Sequence, residues 1–291
     1  MEDVIIEESR EKGKYQARFA PSQGMNLKSL IFDGVEVIDQ STQHLFEERF
    51  AGLGAMIGPH FHRRKTESLP KNLDLALFPH VKRGAIPEGT DPFSHGVGRY
   101  AAWTSTNDAR SIDATLKGGD TLNGVKLSDI EGQDFLMRYK AAWVSGGLEL
   151  EMASVSQADS VMGIHFYYHV PGNKGEVISR VAGNYIVDGE VKPIPALIGY
   201  EESSGRLSFS LSQEADYTFR PFPNLLKGEI ALKLDGYTLL TTYESSSSEN
   251  SWQLWRSKNS SFVCIEPVSA ADPRHPNLTV SSIKIRLELV R

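Results

Sequence analysis

The stretch IKIRLELV at residues 283–290 decides the fold class, because apolar side chains alternate with charged ones along most of it. A period of two places the apolar residues on one face of a β-strand and the charged residues on the other. The stretches LSFSLS at residues 207–212 and LELEM at residues 148–152 repeat the pattern. Each run therefore predicts a half-buried strand.

Turn signals separate such runs along the whole chain. The turn SGG at residues 145–147 lies between the strand-like runs 135–144 and 148–152, which predicts a hairpin. Asp235-Gly236 lies between the runs 230–234 and 237–243 and predicts a second hairpin. Further turn signals are Asp33-Gly34, Asn123-Gly124 and Asp188-Gly189.

The pattern of runs and turns favours an all-β fold, namely a large antiparallel β-sandwich. Sustained 3.6-residue periodicity is missing, and only residues 42–50 favour a helix, which disfavours parallel α/β folds. Sandwiches reach this length as one domain, so we expect a single domain over residues 1–291.

Composition excludes several classes of partner. The 31 basic and 37 acidic residues give a net charge of −6, so nucleic acid is not an expected ligand. No run approaches the roughly 20 apolar residues that cross a bilayer, and residues 1–8 lack the features of a secretory signal. We therefore expect a cytoplasmic protein without a membrane partner. Cys264 is the single cysteine and lies in an apolar run, which predicts a buried strand residue.

Glu266 is the most informative polar residue, because it follows four apolar residues at 262–265. A carboxylate beside such a run is costly to bury unless it is hydrogen-bonded or poised for function. The structural alternative is that the strand ends at Glu266 because Pro267 follows.

Two histidines stand in similarly polar clusters. His165 lies in the aromatic run HFYYH at residues 165–169 and would share a strand face with Tyr167. His95 precedes Gly96, a residue at which a backbone can come close to a ligand. A hydrogen-bonded structural histidine and an ordinary turn are the respective alternatives.

The fourth cluster is GPHFHRR at residues 58–64, part of the dense basic group of an acidic chain. The guanidinium of Arg63 suits several hydroxyl acceptors, whereas a solvated loop charge is the alternative.

In their order along the chain, these clusters resemble motifs of the aldose 1-epimerase (galactose mutarotase) family. Residues 58–63 resemble the motif of a glycine, three variable positions, asparagine and arginine, in which Arg63 matches and His62 replaces the asparagine. The pair His95-Gly96 is similar to the His-Gly motif of that family.

The later motifs extend the resemblance to residue 267, so that it covers most of the chain. The run HFYYH resembles the motif of histidine, any residue, tyrosine, aromatic and asparagine, with His169 in place of the asparagine. The run FVCIEP at residues 262–267 resembles the strand that bears the catalytic glutamate. Asp216 resembles the aspartate that precedes the last catalytic strand.

The resemblance implies a galactose mutarotase-like supersandwich that interconverts the α and β anomers of a hexose. It implies Glu266 as the base, His165 as the acid and His95 as an assistant at the ring oxygen. It also implies that the sugar hydroxyls are bound by Arg63, His62 and Asp216. An acid and a base are needed on opposite sides of the hemiacetal, and no metal or cofactor is required. The expected partner is a small-molecule sugar.

Three alternatives remain open at this stage. The spacing of Gly54, His60, His62 and Glu67 fits a cupin metal site, although a second cupin motif is not recognisable. A hexose 6-phosphate is the alternative substrate, held by basic residues at 63–65 and 82–83. A sugar-binding domain without turnover is the third alternative. The oligomeric state is not predicted.

Overall fold

Strands dominate the structure. A computed structural model describes residues 2–10, 13–62, 73–86, 90–187 and 189–291. Strands make up about 52% and helices about 12% of it, which confirms the prediction of an all-β fold with little helix. No helix among the described residues has the length and apolar character needed to span a membrane.

The strands are, in chain order, β1 (Val4–Arg10), β2 (Gly13–Ala20), β3 (Asn26–Phe32), β4 (Val35–Glu36), β5 (Gly54–Ile57), β6 (Thr104–Asn107), β7 (Ser111–Lys117), β8 (Thr121–Leu122), β9 (Val125–Lys126), β10 (Phe135–Val144), β11 (Gly147–Ser156), β12 (Gly163–His169), β13 (Glu176–Val187), β14 (Glu190–Pro193), β15 (Gly199–Glu201), β16 (Arg206–Ser210), β17 (Ala215–Pro221), β18 (Lys227–Leu234), β19 (Tyr237–Ser245), β20 (Ser251–Arg256), β21 (Phe262–Val268) and β22 (Val280–Val290). The α-helices are α1 (Gln43–Arg49), α2 (Pro79–Arg83) and α3 (Leu127–Glu131).

The described strand pairs are antiparallel, and all of them except the separate pair of β8 and β9 belong to two layers. One layer, called here the site sheet, has the order β1-β2-β3-β5-β12-β21-β20-β17-β13-β14. The other, the back sheet, has the order β6-β7-β10-β11-β22-β19-β18-β13-β16-β15. The layers are continuous through β13, whose first half pairs in the back sheet and whose second half pairs in the site sheet.

Both predicted hairpins are confirmed. Strands β10 and β11 pair with Val144 opposite Gly147, and β18 and β19 pair with Leu234 opposite Tyr237. The C-terminal alternation also holds, because Ile283, Ile285 and Leu287 of β22 are buried in the core while the charged residues between them are more exposed. The period of two therefore determined both the strands and the faces that they bury.

The core lies between the two layers. Aromatic rings meet across it edge to face, as Phe19 does with Tyr139 at 6.0 Å between centroids and Phe32 with Trp143 at 5.7 Å. The indole N–H of Trp143 donates a hydrogen bond of 3.0 Å to the carbonyl of Ile6 on the opposite layer. These contacts join the sheets into a sandwich.

Helix α1 occupies the region that the sequence marked as helical, whereas α2 and α3 were not predicted. Each of these two helices has five residues, little more than one turn, which is too short to show a helical period in the sequence. Cys264 is buried and free, as predicted.

Candidate functional site

A polar cleft of about 520 Å³ lies on the site sheet. Its wall contains the five described residues that the sequence marked as site candidates, which are His62, His95, His165, Asp216 and Glu266. The sixth candidate, Arg63, lies outside the described residues. The fold thus brings together side chains that are up to 204 positions apart, since 266 − 62 = 204.

The strand register brings the two central residues of the cleft into contact. Phe166 of β12 pairs with Ile265 of β21, which puts His165 beside Glu266. The Nε2 atom of His165 lies 3.1 Å from Oε1 of Glu266. Both residues are buried, with 7% and 2% of their surface exposed. They alternate with core residues of their strands and therefore lie on the face of the sheet that looks away from the core.

Burial sets the protonation of this pair. It raises the pKa of Glu266 to about 8, with Asp216 acting in the same direction and with Arg99 and Arg274 opposing it. Burial also holds the pKa of His165 well below its ordinary value, and the nearby Arg99 adds to that effect. At neutral pH the pair therefore holds one titratable proton, which lies on Glu266 within 3.1 Å of the uncharged His165 ring.

His95 lies on a loop that is fixed to the segment containing Gly58 and Phe61. Its ring contacts the Phe61 ring at 4.5 Å and the His165 ring at 5.5 Å between centroids. Its Nδ1 atom lies 3.0 Å from the hydroxyl of Ser94. Burial, followed by the charge of Arg99, keeps the pKa of His95 well below its ordinary value. A neutral imidazole beside His165 is the result.

Gly96 permits another backbone segment to come close to its own. Its φ is +86°, and a Cβ atom built there would lie 2.1 Å from the carbonyl oxygen of Gly58. In the structure, the glycine is needed because two chain segments cross there, whereas the sequence suggested the approach of a ligand. Residue 95 itself has a φ of +69°, which is uncommon for a residue that has a side chain.

His62 and Asp216 lie at the rim of the cleft, where both are exposed. The Nδ1 atom of His62 lies 3.4 Å from the Ser94 hydroxyl. Asp216 is the first exposed residue of β17 and pairs with Trp255 of β20. Both side chains are therefore accessible to a ligand that enters the cleft.

Sequence reasoning missed several residues of the cleft wall. Gln253 pairs with Glu266 across β20 and β21, is 4% exposed, and has an amide nitrogen without a hydrogen-bond partner among the described residues. The signal for it was the same as for Glu266, a polar residue within an apolar strand run. Arg49 and Arg274 also line the cleft, but they come from a helix end and a loop and carried no such signal.

Two other histidines of the marked clusters have structural partners. His60 contacts Glu131 with Nδ1 at 2.8 Å and Asp91 with Nε2 at 2.9 Å. His169 contacts Asp39 at 3.1 Å and is not part of the cleft wall.

The cleft as a whole offers acid–base chemistry. It holds a carboxyl and an imidazole in contact, a second neutral imidazole, and buried polar atoms such as Oε2 of Glu266 and the Gln253 amide that have no hydrogen-bond partner among the described residues. Buried polar groups normally have partners, so these atoms indicate a place where a polar ligand supplies them.

Comparison with known proteins bears on the fold. No protein-family model and no curated protein sequence matches the chain. A galactose mutarotase-like protein from Lactobacillus casei has a similar structure, with a TM-score of 0.66 and 14% identity over 99% of this chain and 100% of that one. A galactose mutarotase-like protein from Clostridium acetobutylicum gives a TM-score of 0.65 and 14% identity over 99% of both chains. A galactose mutarotase related enzyme from Lactobacillus acidophilus gives 0.65 and 13% identity over 100% of this chain and 98% of that one. The chain has the fold of the galactose mutarotase-like proteins.

Proposed function

We propose that the chain is an aldose 1-epimerase, which interconverts the α and β anomers of a hexose by acid–base ring opening. The observation that supports this most directly is the 3.1 Å contact between His165 and Glu266 in a polar cleft. The fold is that of galactose mutarotase-like proteins, and the residues in contact are those expected to act as acid and base.

The reaction is balanced in protons. In the reactive form of the pair, the carboxyl proton has passed across the 3.1 Å contact to His165, which leaves Glu266 as a carboxylate. Glu266 then removes the proton of the C1 hydroxyl while His165 gives its proton to the ring oxygen, and the bond between C1 and the ring oxygen breaks. After rotation about the C1–C2 bond, the ring hydroxyl attacks the aldehyde carbon. The ring hydroxyl returns its proton to His165, and Glu266 returns its proton to the C1 oxygen.

The side-by-side placement of the two groups suits this chemistry. The two oxygens of a hemiacetal are bonded to one carbon atom, so an acid and a base in contact can each reach one of them. This geometry differs from the expected placement on opposite sides of the hemiacetal. A pKa near 8 for Glu266 also suits a general base, because proton transfer is most effective when the pKa lies near the working pH.

A metal-dependent reaction is the main rival. Ligand atoms of His95, His165 and Glu266 lie within 4.8 Å of one another and could hold an ion. Two observations favour the metal-free proposal. The positive charges of Arg99 and Arg274 act on Glu266 and oppose a divalent cation there. Both ring nitrogens of His60, a predicted cupin ligand, contact carboxylates, while Glu67 lies outside the described residues.

A phosphorylated hexose is a second candidate substrate. Arg49 and Arg274 line the cleft, and neither has a carboxylate partner among the described residues. Guanidinium groups bind phosphate through paired hydrogen bonds, so an anionic substituent on the sugar fits this rim. Lys82 and Arg83 do not line the cleft, and residues 63–65 lie outside the described residues.

NMR exchange spectroscopy on free and 6-phosphorylated hexoses tests the proposal. We expect the purified protein to accelerate anomer exchange with or without a chelator, and the rate on the two sugar classes to decide between the substrates. Glu266→Gln keeps the shape of the side chain but cannot accept the proton, so it should lower kcat by about 100- to 10,000-fold.

Glu202→Gln is the matched control, since Glu202 is exposed and is not part of the cleft wall. It should keep full activity. Full activity of Glu266→Gln would contradict the acid–base assignment, and loss on chelation would favour the metal-dependent rival. Sugar binding without turnover by the wild-type protein would indicate a non-catalytic sugar-binding domain.

A further inference from the structure

His60 lies between two carboxylates that are shielded from solvent. Its Nδ1 atom is 2.8 Å from Oε2 of Glu131, and its Nε2 atom is 2.9 Å from Oδ2 of Asp91. The side chains of both acids have no exposed surface, and that of His60 is 13% exposed. This arrangement spans three parts of the chain, because Glu131 ends α3 and the other two residues lie on separate loops.

A doubly protonated ring satisfies both contacts while the two acids stay ionised. A neutral imidazole has one N–H donor, so its second nitrogen would direct a lone pair at a carboxylate oxygen. An imidazolium donates to both acids, and it also balances part of the negative charge that burial makes costly. The two contacts are therefore those of an imidazolium between two carboxylates.

The two acids also hold the loop that carries His95. The remaining oxygen of Asp91 accepts the N–H of Phe93 at 2.9 Å, and that of Glu131 accepts the N–H of Val97 at 2.9 Å. These amides lie two residues before and two residues after His95. The N–H of His95 itself donates to the carbonyl of Phe61 at 2.7 Å, one residue beyond His60.

We propose that His60 is a positioning residue, which joins Asp91 and Glu131 so that together they fix the loop of His95 in its left-handed backbone conformation. The unfavourable φ of +69° at His95 persists only if the surroundings enforce it, and these hydrogen bonds do so from both sides. Because the role concerns the orientation of His95 towards the sugar, the inference rests on the proposed function.

The charge on His60 is tested first in the wild-type protein. Nitrogen-15 NMR of histidine-labelled protein at about pH 8, where an ordinary histidine is neutral, should show one buried ring with both nitrogens protonated. Its assignment to His60 comes from the loss of that signal in His60→Gln. A neutral His60 at this pH would overturn the proposal.

The role in positioning is tested with His60→Gln. We expect amide hydrogen exchange at Phe93, His95 and Val97 to rise by about tenfold or more, because the link between the two acids is lost. We expect kcat to fall by about 10- to 100-fold while KM changes by less than about threefold, because a misplaced catalytic group affects the chemical step. If the single variant fails to fold, the double variant with His60→Gln and Glu131→Gln is measured instead. It leaves one fewer buried carboxylate without a cationic partner.

His80→Gln is the matched control. His80 is also buried, at 3% exposure, and it binds the same loop through a 2.8 Å contact from Nε2 to the carbonyl of Pro92. It should lower stability without the selective rise in exchange at His95 or the fall in kcat. Equal losses of kcat in both variants, or unchanged exchange in His60→Gln, would overturn the proposal.

The NMR and exchange readouts do not depend on turnover. An inactive wild-type protein would therefore contradict the proposed function, and these two measurements alone would then decide the positioning role of His60.

Discussion

Arg99 is a buried cation that acts on all three titratable residues at the centre of the cleft. It is 5% exposed, and its Nε–H donates a 3.1 Å hydrogen bond to the carbonyl of Met56. Met56 neighbours Ala55, which pairs with His165 across β5 and β12. The guanidinium lowers the pKa of His95 and that of His165. It also lowers the pKa of Glu266, which burial raises. Arg99 therefore limits the rise in the pKa of Glu266 and disfavours protonation of both histidines.

We predict that substitution of Arg99 shifts the pH dependence of kcat/KM. The reactive form of the pair holds one titratable proton, so kcat/KM should fall as the pH rises and that proton is lost, with a midpoint near the pKa of about 8. Arg99→Met removes a charge that lowers this pKa, so the falling limb should move to higher pH. Asp216→Asn removes a charge that raises it, so the limb should move to lower pH.

The opposite signs make this pair of variants informative, because general damage to the site lowers the rate without shifting the limb in opposite directions. The measurement is kcat/KM for anomer exchange as a function of pH in all three proteins. Equal limb positions would show that Glu266 does not set the profile.

At the scale of elements, the strands were predictable because their alternation is imposed by burial of one face. The hairpin of β10 and β11 and that of β18 and β19 carry a period of two and a turn signal in the sequence itself. Helices α2 and α3 carry too few residues to show a period.

The candidate site was predictable where polarity interrupts an apolar strand. Glu266 stood out in β21 for this reason, and Gln253 in β20 carried the same signal without being singled out. The contacts of His60 with Asp91 and Glu131 could not be predicted, because they depend on how loops from three regions pack. Arg49 and Arg274 were missed for the same physical reason.

The crossing of the two loop segments predicts the effect of Gly96→Ala. A Cβ atom would lie 2.1 Å from the carbonyl oxygen of Gly58, and the φ of +86° adds backbone strain. Gly34→Ala is the matched control, because Gly34 has a φ of +82° with no atom within 4 Å of the added Cβ. We expect the control to cost about 1 kcal/mol, and Gly96→Ala to cost at least about 2 kcal/mol more, in the free energy of unfolding by urea. Equal costs would show that the crossing is not tight.

For the whole molecule, the proposed function makes the cleft a place where catalysis opposes stability. Most buried side chains are apolar and join one continuous core between the layers, whereas Glu266, His165 and Gln253 are buried with polar atoms left without partners among the described residues. Residues selected for a reaction are often costly in this way. The cost should depend on pH, because one of these residues is a carboxyl with a raised pKa.

The pH dependence of unfolding tests that cost. Burial raises the pKa of Glu266 from its usual value near 4.5 to about 8, so the folded protein keeps this proton over a range in which the unfolded chain releases it. The contribution of Glu266 to the free energy of unfolding is therefore fully present below pH 4.5 and is lost as the pH rises towards 8. Glutamine has no proton to lose, so Glu266→Gln should gain stability relative to the wild type over this window, by on the order of 1 kcal/mol per pH unit.

The measurement is urea unfolding of both proteins at several pH values between these limits. The difference between the two free energies of unfolding removes the contributions of other groups that titrate alike in both proteins. The exposed Glu202→Gln should follow the wild-type curve. Parallel curves for Glu266→Gln and the wild type would show that the carboxyl is already ionised when buried, and the assignment of a raised pKa to Glu266 would then be wrong.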